Sequence, residues 1–228
     1  MNFKIVGETL PVVILTLGKG EKVFTQAGGM AWMSEGFEMQ TNMEGGLLKG
    51  IARKLAGETL FMTTYTCTRD SGEIAFASSF PGKIIPLELK AGQSIICQKK
   101  AFLCGESSVK LEIFFRKKIG SGLFGGEGFI LEKVTGPGLC FVEIDGAVVE
   151  YELGSNDILK VDQGHVAMFE PTVTFEIEMV KGFTNVLFGG EGLFLATLKG
   201  PGKVWLQSLP IENLAARLIP YLPASKGD

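Results

Sequence analysis

Leu123-Phe124-Gly125-Gly126-Glu127-Gly128 occurs again 64 residues later, as Leu187-Phe188-Gly189-Gly190-Glu191-Gly192. The likeness runs on to a pair of Gly-Pro-Gly turns, at 136–138 and 200–202. Windows 123–142 and 187–206 agree at ten positions without a gap. Such self-similarity marks a chain built from a repeated structural unit. A weaker copy lies upstream, where Gly57-Glu58 precedes Leu60-Phe61-Met62 and Gly72 opens Glu73-Ile74-Ala75-Phe76. The apolar runs Gly28–Met33, Lys100–Cys104 and Gly164–Met168 precede the three corners at comparable places. The spacing predicts units at 1–80, 81–145 and 146–208, with 209–228 as an appendage.

Composition supports a packed chain of short strands. Hydrophobic residues make up 46% and charged residues 21%, the balance of a globular protein. The 31 glycines gather at corners, and the 17 phenylalanines suit half-buried strand faces. Units of about 65 residues are small for independent stability, so a shared core is expected. Alternation predicts strands at 2–6, 10–17, 23–25, 29–33, 59–66, 73–78 and 83–89. In the second unit it predicts 94–98, 101–104, 109–116, 128–134 and 139–144. In the third it predicts 157–161, 165–169, 173–180, 192–198 and 203–208. Asp145-Gly146 reads as a hairpin turn joining 141–144 to 147–153. Residues 34–46 read as a polar, glycine-bearing stretch, and Leu47–Ala56 as a short helix with Lys49, Arg53 and Lys54 on one side. Pro210 opens a C-terminal helix whose positions 211, 214, 215, 218 and 219 form an apolar face, expected to pack on the β-body or a neighbouring subunit. Ala224–Asp228 reads as a frayed tail.

Charge and cysteine use narrow the function. A net charge of −3 and a pI near 5.4 argue against non-specific nucleic-acid binding. Cys67, Cys97, Cys104 and Cys140 form no C-x-x-C pair, and no apolar run reaches the roughly 18–20 residues of a membrane span. A reducing, cytoplasmic home with free thiols is expected.

Gly28–Met33, Gly57–Met62, Gly189–Phe194 and Gly200-Pro201-Gly202 together resemble the altered-inheritance-of-mitochondria (AIM) family, over about residues 1–210. The resemblance implies an all-β fold of three double-stranded β-helix units, like the tryptophan RNA-binding attenuation protein, in pseudo-threefold arrangement. It also implies a homotrimer or similar ring. It supplies no catalytic residues, and an RNA-binding ring is an alternative by fold analogy alone.

The chemistry that remains is sparse. With His165 the single histidine, a His-based metal centre within one subunit is excluded. Strand alternation would place His165, Ala167 and Phe169 on one face, as a structural histidine. No nucleophile elbow, P-loop or dinucleotide fingerprint is present. Glu58, Glu127 and Glu191 occupy equivalent corners. They either cap their own turns or, if brought together, hold a hard cation as the metal-binding or enzymatic alternative. Glu58, Gly126, Glu127, Gly128, Gly190, Glu191 and Gly192 are the candidate binding residues. Leu123, Phe124, Leu187 and Phe188 are the candidate docking face. The function expected is a non-enzymatic, cofactor-free, self-associating β scaffold or binding module that docks a protein or a membrane surface.

Overall fold

The computed structural model describes residues 1–26, 28–43, 61–117, 128–180, 193–218 and 221. Period-two burial makes the strands. In β2 (Val12–Gly18) Val13, Leu15 and Leu17 are fully buried while the residues between them are half-exposed. β1 (Asn2–Val6) runs antiparallel along its outer edge. Five more strands complete the first unit: β3 (Lys22–Gln26), β4 (Met30–Met33), β5 (Phe37–Met43), β6 (Phe61–Cys67) and β7 (Ser71–Ala77). The second unit holds β8 (Gly82–Leu89), β9 (Ser94–Gln98), β10 (Phe102–Glu106), β11 (Lys110–Lys117), β12 (Phe129–Thr135) and β13 (Gly138–Asp145). The third holds β14 (Val148–Leu153), β15 (Ile158–Asp162), β16 (Val166–Phe169), β17 (Thr174–Val180), β18 (Leu193–Lys199) and β19 (Gly202–Gln207), followed by α1 (Ile211–Leu218). The fold is all-β apart from that helix and two single-turn 3-10 segments among the described residues.

One pairing pattern occurs three times. In each unit the sixth strand lies between the first and third, and the fifth between the second and fourth. The half-sheets are therefore β2-β7-β4 with β5-β6-β3, β8-β13-β10 with β11-β12-β9, and β14-β19-β16 with β15-β18-β17. Neighbouring units join edge to edge. β3 pairs β10, and β9 pairs β16, each making one six-stranded antiparallel sheet from two half-sheets. A bulge falls at the same place in the third strand of each unit, between Met30 and Trp32, Phe102 and Cys104, and Val166 and Met168. Turn chemistry repeats too. The backbone N–H groups of Gly18, Lys90 and Gly154 donate to the side chains of Glu21, Gln93 and Asp157, at 2.7, 2.8 and 2.8 Å. Those of Glu73, Leu139 and Lys203 donate to Ser34, Glu106 and Glu170, at 3.1, 2.9 and 2.9 Å.

The core lies between the units as much as within them. Leu15, Phe76 and Tyr65 of the first unit pack with Leu103 and Phe141 of the second. Phe24 of the first unit shares a cluster with Cys97 and Cys140 of the second and Met168 of the third. Phe175 of the third stacks on Phe129 of the second at 5.9 Å between ring centres and meets Phe115 edge-on at 5.2 Å. Each buried phenylalanine contributes roughly 1.5–3 kcal/mol by leaving water, so the phenylalanine content is put to use at these seams.

Two expectations are corrected. Phe37–Met43, in the polar stretch where no strand was expected, is a strand. It lies at the edge of its sheet, and exposed Gln40 and Thr41 gave it polar composition without the burial that marks a core strand. Asp145-Gly146 does not close a hairpin. β13 is already flanked by β8 and β10, so β14 finds its partner in β19, in another sheet. Gly146, at φ +74°, turns a corner between sheets instead. On this chain α1 leaves Ala215 and Leu218 exposed and Ile211 and Leu214 partly covered, so a neighbouring subunit remains the expected partner for the rest of its apolar face. The expected helix at 47–56 and the tail at 224–228 lie outside the described residues.

Candidate functional site

Of the corner residues read as candidates, Gly128 is described. It has φ +80° and borders a shallow hollow of about 30 Å³ with Gln98, Lys99, Lys100 and Glu212. Glu58, Gly126, Glu127, Gly190, Glu191, Gly192, Leu123, Phe124, Leu187 and Phe188 lie outside the described residues. The strands that flank those corners pair end to end, Met43 with Phe61, Lys117 with Phe129 and Val180 with Leu193. Each corner thus leaves and re-enters one hairpin.

Next to Gly128 a cavity of about 180 Å³ runs beneath the start of α1, with Phe80, Ala101 and Ile211 in its wall beside the polar Ser79, Lys100, Glu143, Asp145, Gln207 and Glu212. Its side chains are engaged in structure. Glu143 is buried and accepts from Ser78 Oγ at 2.9 Å, Ser79 N at 2.8 Å and Ser79 Oγ at 3.1 Å, holding the crossing from β7 to β8. Asp145 accepts the N–H of Ile211 at the first turn of α1, as a helix-capping carboxylate does. Burial, with Glu143 and Glu212 nearby, pushes its carboxyl up to about 6. Gln207 Nε2 donates to Gly164 O at 2.7 Å, and its Oε1 accepts from Asp145 N at 3.2 Å. Lys100 pairs with Glu212 at 3.1 Å.

His165 belongs to the same anchorage. It sits in the turn Gln163–His165 rather than in a strand, so the alternation expected for it does not hold. Its Nδ1 lies 2.7 Å from Gln207 O and its Nε2 3.2 Å from Asn213 Nδ2. A neutral ring satisfies both contacts, donating from Nδ1 and accepting at Nε2. Among the described residues no group of three or more His, Cys, Asp and Glu side chains is placed to hold a metal ion. No helix among them is long and apolar enough to cross a membrane.

The site that sequence reasoning missed is at the two ends of the array. Among the described residues β4 and β15 each have a single strand neighbour, β7 and β18. Their counterparts are paired on both sides. Burial follows this difference. Trp32 is 51% exposed and Met33 38%, whereas Cys104 and Met168 at the position of Trp32, and Phe169 at that of Met33, are 0% exposed. At the other end Lys160 is exposed where its counterparts Phe24 and Ile96 are buried. Trp32 and Met33 thus have the composition of an interior seam and the exposure of a surface. Composition alone carried this signal, since Met-Ala-Trp-Met is too apolar for a free edge strand.

Strand order and burial define an all-β protein. The match to the family model "Mitochondrial biogenesis AIM24" over residues 3–209 places the chain in that family. An uncharacterised protein of Streptococcus pyogenes serotype M6 is 32% identical over 225 residues, covering 94% of this chain and 88% of the relative. The crystal structure of a Streptococcus pyogenes protein matches with a TM-score of 0.79 at 26% identity, covering 97% of this chain and 99% of that one.

Proposed function

We propose that this chain is a non-enzymatic β scaffold that acts as an oligomer, a homotrimer in the form the family resemblance implies, and associates through its sheet ends. Residues 1–80, 81–145 and 146–208 are, in this proposal, three copies of one attenuation-protein-like unit. The observation that carries it is the half-sheet ending in β4, where Trp32 and Met33 stand exposed although their counterparts are buried in the seams. An exposed tryptophan beside an unpaired strand edge has the chemistry of a protein contact. The cavity supports a structural role for its polar residues, because Glu143, Asp145, Gln207 and Glu212 each hold a turn or the helix. The four buried, unpaired thiols support a reducing, cytoplasmic setting.

Native mass spectrometry and sedimentation velocity on the full chain test the proposal. The expected species is about three times the 24.5 kDa chain. Another multiple would correct the count and keep the scaffold. A monomer across the whole concentration range would end it.

A further inference from the structure

We propose that the chain assembles head to tail, with β4 of one copy pairing antiparallel with β15 of the next and continuing the seam already present twice inside each copy. The inference rests on the scaffold reading above and adds the partner, the edges and the register. Within the chain, the second strand of one unit always meets the third strand of the following unit. β15 is a second strand with no following unit, and β4 is a third strand with no preceding one. The two free edges are therefore complementary halves of a joint that this backbone already makes. A second copy is the occupant that supplies both.

The internal seams set the register. Gly105 lies opposite Phe24 in one, and Met168 and Phe169 lie opposite Cys97 and Ile96 in the other. Met33 corresponds to Gly105 and Phe169, since these pair with Ile74, Cys140 and Val204 just after the bulge. Lys160 corresponds to Phe24 and Ile96, each the middle residue of its strand. Met33 of one copy thus falls opposite Lys160 of the next, and Trp32 opposite Val161. Lys160 replaces an apolar residue of the internal seams, and its ammonium lies 3.9 Å from Glu178. A lysine on an edge strand opposes indiscriminate strand addition. It makes the joint between copies weaker than the joints within one, so the assembly depends on concentration. A head-to-tail joint closes into a ring or runs on as a filament according to its rotation.

Sedimentation velocity on the full chain and three variants tests the joint. Met33 is exposed, so Met33→Lys leaves the core intact while setting two ammonium groups against each other across the joint. Association should weaken by roughly tenfold or more. Adding Lys160→Glu to Met33→Lys sets opposite charges across the joint and should restore association. Lys160→Ile alone, matching the internal seam, should strengthen it. If the wild-type chain associates but Met33→Lys associates equally well, or Lys160→Glu gives no rescue, the edge joint is wrong while the scaffold stands. If the wild-type chain is a monomer throughout, both fall.

Discussion

Asp145 links the chemistry of one carboxyl to the stability of the chain. Its folded value of about 6 lies above its ordinary 3.8. Between those values the folded state holds a proton that the unfolded state has released. Stability from this group is therefore full below about pH 4 and is lost as pH rises through 6. Glu143, Glu212 and Lys100 face the same cavity and take part in its field. Asp145 is only partly buried, so solvent screening limits the effect to about 1 kcal/mol. Urea unfolding at pH 4.5 and 7.5 should show that difference in the wild-type chain and a smaller one in Asp145→Asn. The cysteines permit a second measurement. Burial pushes Cys140 up to about 12, and Cys97 and Cys104 well above the ordinary thiol value. Buried thiols with little thiolate react slowly. A thiol reagent near pH 8 should leave these three unmodified in the native chain and modify them once it is unfolded. Gly202 is a third case. At φ +138° an added Cβ would come within 2.5 Å of Thr172 Oγ1. Gly202→Ala should cost about 1–3 kcal/mol, read from the shift in a urea midpoint.

At the level of elements, α1 is tied on by polar contacts at its first turn. Asp145 caps it, Lys100 pairs with Glu212, and Asn213 contacts His165. Its exposed Ile211 and Leu218 add little burial. Asn213→Ala should therefore lower global stability by less than about 1 kcal/mol. Amide hydrogen exchange should nevertheless quicken in 211–218 relative to the strands, because a weakly anchored element opens locally. Uniform slow exchange through the helix would contradict this attachment. The edge strand β5 and the corner at Asp145-Gly146 are also matters of elements. Both went against local pattern because the choice of strand partner lay elsewhere in the chain.

For the whole molecule, the seams join the units into one cooperative body. Gln26 of the first unit donates to both carboxylate oxygens of buried Glu132 in the second, at 2.8 and 2.7 Å. Gln98 of the second donates to backbone carbonyls of the third, that of Val166 at 2.7 Å. Calorimetry should find one transition rather than three, because no unit buries its core alone. Gln26→Ala should lower stability by roughly 2–3 kcal/mol, since it removes a hydrogen bond to a buried charged group. Successive, separate transitions would mean that the units are independent.

Strand type and most strand positions were legible in the sequence, because alternation and glycine corners are local properties with local causes. Leu15, Phe76 and Phe141 fall in strands that alternation marked, and all three are buried. The family, too, could be read from the glycine motifs. Partner choice was not legible. Hydrogen bonding between strands depends on which edges remain unpaired after the rest of the chain has packed, and no window of sequence contains that information. For this reason Asp145-Gly146 read as a hairpin, residues 34–46 as a polar stretch without a strand, and 29–33 as one strand among the others. Tertiary structure alone separated Trp32 and Met33 from their buried counterparts. The three runs are alike in sequence, and they differ in whether another strand lies beside them.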